Sequence, residues 1–560
     1  MTARGLRAGQ GPGAAGPVAG AWFRVLGQTR SMRTAYSVET VRAAEREAMA
    51  RLPEGALMQR AAAGLAAACA DLLGRRVYGS RVVLLVGSGD NGGDTLYAGA
   101  RLARRGAGVV AVLLAPERTH AGGLAALRKA GGRVLEGPHG DAGAVASSGA
   151  SSASGASGTS SASGVSGAAT AAGAVQDADA VVAARAAGAY AVIARADLVL
   201  DGIVGIGGRG GLRPEAVPLV RAARASGAAV VAVDLPSGVD ADTGEVGGEC
   251  VRADATVTFG AYKPGLLIDP AGEYAGALRL VDIGLETAGV PADVEALQHA
   301  DVAGLLPVPG GESDKYRRGV VGVVAGSARY PGAAVLAVAG ALRGGAGAVR
   351  YVGQGGDAVL ARFPETLVST GTPGEAGRVQ AWVIGPGLDD GAKGALEEVL
   401  ASDVPVLVDA DGLRELDPQT VRGRSAATVL TPHAGEAARL LGVERGVVEA
   451  RRLDSARRLA VLYGATVLLK GSTTLVAPPD GGPVRVNPTG TAWLATAGSG
   501  DVLSGVTGSL LAAGLSGMDA ASVGAYLHGL AARGAAKGAP ISAGEVAEGI
   551  GEAWRGVRGL

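Results

Sequence analysis

Short unbroken apolar runs alternate with stretches whose apolar residues recur at helical spacing, and this alternation repeats along most of the chain. The first helical pattern begins near Tyr36, where Ser37 precedes Glu39 and Glu45 and the spacing continues through Arg42–Ala50 and Leu57–Leu73. Arg81–Val86 then reads as a parallel strand covered on both faces, because it is Val and Leu without a polar break. It meets a glycine-rich turn at Gly87, and Thr95–Arg105 reads as the next helix. Gly108–Leu114, Ala196–Leu200 and Ala228–Val233 repeat the strand pattern between helical ones, so the first half is expected to be a doubly wound α/β unit. It finishes near Val281–Gly284, and the stretch to about Pro309 reads as a connection. Gly319–Val324, Ala381–Ile384, Pro405–Val408, Ala427–Leu430 and Thr466–Leu469 form a second series, each run ending in Gly, Asp, Thr-Pro or Lys-Gly. Ligands of open parallel sheets bind beyond the carboxyl ends of the strands, so the chemistry of both halves is sought there.

Composition narrows the classes. A chain of 560 residues exceeds one ordinary core, and Lys+Arg and Asp+Glu both count 52, which removes the basic surplus of a nucleic-acid binder. Cys69 and Cys250 have no metal-type spacing, as expected of thiols in a reducing cytoplasm. No apolar run reaches the roughly 20 residues that cross a bilayer, so no membrane association is expected. Residues 1–33 lack acidic side chains and a long apolar region, and are read as a disordered extension. The segment from about 140 to 174 is almost wholly Gly, Ala and Ser and reads as a flexible insertion. With 95 glycines in the chain, no single glycine-rich motif counts as evidence without its context.

In the second half, Ala497-Gly498-Ser499-Gly500-Asp501 runs into an apolar helix expected over Val502–Ala513. Freed backbone N–H groups and the positive helix end suit a transferring phosphoryl group, with Asp501 placed to take a proton from a hydroxyl. An isolated Gly-Asp here would simply cap the helix. Four other strand ends also carry polar or glycine motifs: Gly326–Ala333, Gly385–Gly387, Asp409–Gly412 and Thr431–Glu436. A fifth, Lys470-Gly471-Ser472-Thr473-Thr474, offers a cation and open amides to phosphates, though it is no Walker motif. Taken singly, Asp409 and Asp411 start a turn, His433 caps a helix and Lys470 ends a strand; their order on one sheet argues for a site.

In the first half, Gly87-Ser88-Gly89-Asp90-Asn91-Gly92 matches GxGxxG after a strand. The acidic residue of a dinucleotide fold is missing from the next strand, so Asn91–Asp94 is read instead as a polar turn rich in side-chain oxygens. A second glycine loop runs through Gly205–Gly211, and Asp234 with Ser237 closes the next strand. Asn91, Asp201 and Ser237 make a set of hard oxygen donors for a cation.

The second-half motifs, over roughly Val302–Trp554, resemble the ribokinase-like ADP/ATP-dependent NAD(P)H-hydrate dehydratases. The resemblance implies that Lys470, Gly471, Ser472, Thr473, Thr474 and Gly500 hold the nucleotide, and that Ala333, Gly387, His433 and Asp501 contact the hydrate. It also implies Asp501 as the base and Mg2+ with ADP. The first-half motifs, with Phe259–Gly265 as a late Lys-Pro-Gly segment, resemble the NAD(P)H-hydrate epimerases over roughly Tyr36–Leu285. By that resemblance Asp90, Asn91, Gly92, Gly93, Asp94, Gly205, Ile206, Gly207, Gly208, Arg209, Gly210, Gly211 and Asp234 bind the hydrate. Asn91, Asp201 and Ser237 would bind K+, and Asp234 would be the acid/base, with Lys263 either assisting it or serving only as its ion-pair partner. Asp90 stands where many members have Asn, and Thr95 where Gly is usual.

The expectation is therefore an α/β chain of two domains, Rossmann-like over 34–286 and ribokinase-like over 310–556, joined by 287–309. Its activity would be bifunctional repair in the cytoplasm: an isomerase that interconverts R- and S-NAD(P)HX, and a lyase that returns S-NAD(P)HX to NAD(P)H at the expense of ADP. The alternative is a small-alcohol kinase of ribokinase type with a nucleotide-sensing first half. The partners are the small molecules NADHX, NADPHX and ADP, and a homo-oligomer is left open.

Overall fold

The computed structural model describes residues 32–74, 76–138, 182–389 and 392–560. Two sheets organise it. The first has seven strands in the order β4-β3-β2-β5-β6-β7-β8, all parallel: β2 (Arg81–Val86), β3 (Gly108–Leu113), β4 (Arg133–Glu136), β5 (Leu198–Gly202), β6 (Ala229–Val233), β7 (Ala255–Phe259) and β8 (Ala277–Val281). Its central strands are buried on both faces, which is why their sequences run Val-Leu-Ala with no polar alternation.

The second sheet has eleven strands. Its parallel body is β10 (Val320–Val324), β11 (Ala348–Val352), β12 (Leu367–Ser369), β13 (Ala381–Ile384), β14 (Val406–Val408), β15 (Thr428–Leu430) and β16 (Thr466–Leu469), in the order β16-β15-β14-β13-β10-β11-β12. The antiparallel β17 (Thr474–Ala477) and β18 (Val484–Asn487) extend it beyond β16. Two short strands, β9 (Val294–Ala296) and β1 (Arg33–Ala35), complete that edge. Residues 287–309, expected as a bare connection, thus contribute β9 and the helix His299–Leu305, because their apolar residues Val294, Ala296, Val302 and Leu306 have a sheet and a helical layer to bury against.

The helix Ser499–Ala512 is buried from Val502 onward. It lies so close to the helix Pro331–Arg343 that a Cβ on Gly505 would fall 2.0 Å from the carbonyl oxygen of Ala337. The Arg33 end of the expected extension is paired strand; the rest of residues 1–31 and the Gly/Ala/Ser insertion lie outside the described residues. Among the described residues no helix is long and apolar enough to cross a membrane.

Candidate active sites

In the first sheet the chain leaves β2 toward β3 on one side, while β5 leads to β6 on the other, so a crevice opens beyond the carboxyl ends of β2 and β5. Gly87 lets its walls meet: its N–H donates to Gly202 O at 3.0 Å, and a Cβ there would sit 1.8 Å from the Ile203 oxygen. A cavity of about 960 Å³ occupies the crevice, lined by Asp90, Asn91, Asp94, Asp234 and the loop from Gly205 to Arg209, with Gly211 beyond. That volume is at the upper end of the roughly 300–1,000 Å³ of small-molecule sites, large enough for a dinucleotide.

The helix expected at Thr95 begins at Asp90, so Asn91–Asp94 form its first turn and not a polar loop. An extended Gly89 without side-chain capping starts the helix directly, and its free N–H end faces the cavity. Gly92, Gly93 and Gly210 do not line the cavity. Gly92 packs on the Gly87 oxygen and Gly93 on Met58 and His120, contacts that a side chain would break. Gly92 and Gly93 thus pack the turn closely against its neighbours.

Asp234 is a non-glycine residue at φ 70°. A conformation of this kind costs of order 1–3 kcal/mol and clusters at functional sites. Its Oδ1 accepts from Lys263 Nζ at 2.5 Å, Thr258 Oγ1 at 3.0 Å and the Phe259 N–H at 3.0 Å. Lys263 is 1% exposed, and its ammonium also donates to Thr258 Oγ1 and the Phe259 oxygen, both at 3.1 Å. An ammonium has three protons, so all are engaged and Lys263 is absent from the cavity wall. The geometry therefore favours the ion-pair role left open for Lys263 over direct assistance.

Burial, then Asp234, Asp90 and Glu45, pushes Asp94 well above the ordinary carboxylate range, and its Oδ1 has no hydrogen-bond partner among the described residues. Glu45, missed by sequence reasoning, is raised by burial and by Asp234 and reaches the cavity from the helix Val38–Arg51 together with Arg42. The two stand three apart on one helix face, which was the available signal.

Asp201 is fully buried and raised to about 6 by burial. Its carboxylate accepts from Ser237 Oγ at 2.7 Å and Ser237 N at 2.8 Å. Asn91 Nδ2 donates to Val233 O at 2.6 Å and Val204 O at 3.4 Å, while Val204 N donates to Ser237 Oγ at 2.9 Å. The three expected cation ligands are thus knitted together around Val204.

The second sheet repeats the arrangement at β10 and β13. Gly326 N donates to Pro386 O at 2.7 Å, and a Cβ on Gly387 would lie 2.6 Å from the Ala333 Cβ, so the two expected hydrate contacts are neighbours. Lys470 Nζ donates to Asp409 Oδ1 at 2.7 Å and stands 3.8 Å from Glu436. Burial opposes its charge, but Asp409 and Glu436 outweigh burial and raise it. Ser504 Oγ donates to Asp409 Oδ2 at 2.7 Å. The Cβ direction of Gly500 points to within 3.4 Å of Lys470 Nζ and 3.8 Å of Asp409, which brings the helix start onto this pair.

That helix begins at Ser499 with Gly498 at φ 87° as its uncapped N-terminus, so Asp501 lies within the first turn. The expected start at Val502 and the capping reading of Asp501 both fail, because Gly498 supplies the left-handed turn and no side chain satisfies the first amides. Burial, then Asp409, raises Asp501 to about 7 against the pull of Lys470. His528, held neutral by burial at about 4, meets the Ser499 carbonyl at 2.9 Å through Nε2 and supports the turn. His433 caps the helix Ala434–Leu441: its Nδ1 accepts from the Gly435 and Glu436 N–H groups, which leaves the proton on an exposed Nε2. Ser472 and Gly471 are exposed in the Lys470–Thr474 loop, whereas Thr473 is buried.

Residues 54–265 match the family described as YjeF-related protein N-terminus, and residues 321–549 the family described as NAD(P)H-hydrate dehydratase. The bifunctional NAD(P)H-hydrate repair enzyme Nnr of Mycobacterium leprae is 47% identical over 508 residues, spanning 90% of this chain and 94% of that one. Its namesake in Corynebacterium glutamicum is 34% identical over 506 residues, spanning 77% and 78%. An ADP/ATP-dependent NAD(P)H-hydrate dehydratase from Bacillus subtilis, co-crystallised with ATP and Mg2+, superposes with a TM-score of 0.43 at 29% identity over 48% of this chain and 100% of that one.

Proposed function

The chain belongs to the family of bifunctional NAD(P)H-hydrate repair enzymes, and from that premise we propose how its two sites divide the work. It epimerises R- and S-NAD(P)HX and dehydrates the S form to NAD(P)H in a nucleotide-dependent step that consumes ADP and yields AMP and phosphate. The observation that carries the assignment of roles is one carboxylate in each site: Asp234, which follows β6 and lines the 960 Å³ cavity, and Asp501 in the first turn beside Lys470 and Asp409.

In the first site Asp234 is the acid/base for inversion at C6 of the hydrate. The three donors on its Oδ1 leave Oδ2 for the substrate, and Lys263 is its positioning partner. The free amides at the start of Asp90–Arg104 and the Gly205–Gly211 loop take the phosphates. Asn91, Asp201 and Ser237 suit K+: they are oxygen donors gathered around a buried carboxylate with no cationic side chain among its bonded partners in the described residues. The ion would supply fixed positive charge beneath that loop.

In the second site Asp501 takes the proton of the C6 hydroxyl as its oxygen attacks the β-phosphorus of ADP, and the bond to the bridging oxygen breaks to release AMP. The C6–O bond then breaks with phosphate as leaving group. Loss of a proton from C5 restores the dihydropyridine. Phosphorylation is needed because hydroxide leaves poorly. The amides of Gly500 and Asp501 hold the transferring group, Lys470–Thr474 hold the nucleotide, and Ala333, Gly387 and His433 place the hydrate. A base near 7 suits proton removal at neutral pH. Asp409 and Glu436 are committed to Lys470 and His433, and no group of three or more His, Cys, Asp or Glu is placed to hold a metal among the described residues. Mg2+ would therefore enter on the nucleotide phosphates, where it neutralises their charge.

The test supplies mixed NADHX epimers with ADP and Mg2+ and follows the recovery of NADH absorbance. Wild type is expected to convert both epimers, Asp234→Ala only one, and Asp501→Ala neither. Failure of wild type to recover NADH overturns the assignment.

A further inference from the structure

The loop read above as the nucleotide loop is held from behind by the other domain. Lys263 begins a buried segment, Lys263–Asp269, in which Leu267 and Ile268 join the same apolar cluster as Leu475, Val484 and Val486 of the second sheet. At its end Asp269, 7% exposed, accepts through Oδ2 from the Ser472 hydroxyl and from the Thr473 N–H at 3.1 Å. Its own N–H donates to Thr473 Oγ1 at 3.2 Å. On the other side Arg452, also 7% exposed, donates through Nη2 to the carbonyl oxygens of Lys470 at 3.2 Å and Thr473 at 2.9 Å. The fit is tight enough that a Cβ on Gly471 would lie 2.2 Å from the Arg452 guanidinium.

Asp269 and Arg452 thus engage three residues of the loop, Lys470, Ser472 and Thr473, while Gly471 and Ser472 remain exposed. Two charged groups on opposite sides of a glycine-containing turn fix its shape before any ligand arrives, which lowers the ordering cost of binding. We infer that Asp269, a residue of the epimerase domain, is a positioning residue for the nucleotide loop of the dehydratase. The inference rests on the assignment of Lys470–Thr474 to the nucleotide.

The experiment measures dehydratase kinetics on the full chain with S-NADHX and varied ADP. Asp269→Ala is expected to raise the KM for ADP about tenfold, the scale of a lost hydrogen bond to a charged group, with kcat and the KM for S-NADHX within about twofold. Asp269→Asn keeps an acceptor for the Thr473 N–H and should recover most of the loss. Epimerase activity of the same samples reports that the first domain is folded. An unchanged ADP KM in Asp269→Ala, or a fall in kcat alone, overturns the proposal. Gly471→Ala, which presses on Arg452, separates the two readings: if it shifts the ADP KM while Asp269→Ala does not, only the cross-domain role fails. If neither variant shifts it, the loop assignment fails as well.

Discussion

Replacing Asp409 by Asn is expected to move the acid limb of the dehydratase pH profile down by about one unit. Asp501 stands at about 7 chiefly through burial and secondly through Asp409, with Lys470 pulling the other way. The Cβ direction of the preceding residue, Gly500, ends 3.8 Å from Asp409 Oδ2 and 3.4 Å from Lys470 Nζ, so a carboxylate one residue on feels both charges. Two unit charges about 7 Å apart at an effective dielectric of about 20 interact by roughly 2.4 kcal/mol, or about 1.7 pKa units, and partial exposure of the site reduces this to about one. Asparagine preserves the geometry: its oxygen still accepts from Lys470, and the Ser504 hydroxyl can turn to accept from its amide. The sign follows from the role. Asp501 works as a base only when ionised, so a lower pKa carries half-maximal kcat/KM to lower pH. The assay is NADH recovery from S-NADHX at saturating ADP across pH, read as the position of the limb and not its height. Lys470→Met should shift the limb upward, because the cation that favours ionised Asp501 is gone. A limb that stays in place in Asp409→Asn, or shifts the same way in both variants, refutes Asp501 as the titrating base.

Lys263→Met should lower the melting temperature and abolish epimerisation, because it strands the buried Asp234 charge at a cost of about 3–5 kcal/mol; adding Asp234→Asn should restore the melting temperature and not the activity. A structural lysine that merely fills space would show no such recovery in thermal unfolding. Saturating K+ should raise the melting temperature of the first domain relative to Na+ at matched ionic strength, by the linkage expected of a ligand that binds only the folded state, about 2.7 kcal/mol at a hundredfold excess over Kd. Asp201→Asn should erase the difference, and equal melting in both salts for the wild type would remove the cation from the site.

The parallel strands were legible because burial on both faces writes an uninterrupted apolar run: Arg81–Val86, Ala381–Ile384 and Thr466–Leu469 lie where the pattern puts them. The half-covered edge strands Arg133–Glu136 and Leu367–Ser369 carry no such run and gave no signal. Both functional helix starts were placed too late, for one reason. Asp-Asn-Gly-Gly-Asp and Ser-Gly-Asp read as loop by propensity, yet each forms a first helical turn. The strand motifs pointed to Asp409 and to Lys470–Thr474, but the partners of these residues were hidden by chain distance: Ser504 reaches Asp409 across 95 positions and Ser472 reaches Asp269 across 203. No local periodicity encodes such pairs.

The two sites use the same parts to different ends. Each has a helix start and a lysine bonded to a carboxylate. In the first the lysine is bonded directly to the reacting carboxylate, Asp234. In the second it is bonded to Asp409, and burial and that like-charged neighbour raise Asp501 by more than Lys470 lowers it. Epimerisation must take and return a proton without net consumption, and it has no anionic leaving group to expel. Phosphoryl transfer must remove a hydroxyl proton while negative charge gathers on the acceptor, and a base poised near 7 suits that step at neutral pH. On the proposed roles, which carboxylate the lysine pairs with separates a reversible acid/base from a one-way base. Removing the charge of Asp409, as in Asp409→Asn, alters the second site through charge before it alters it through shape.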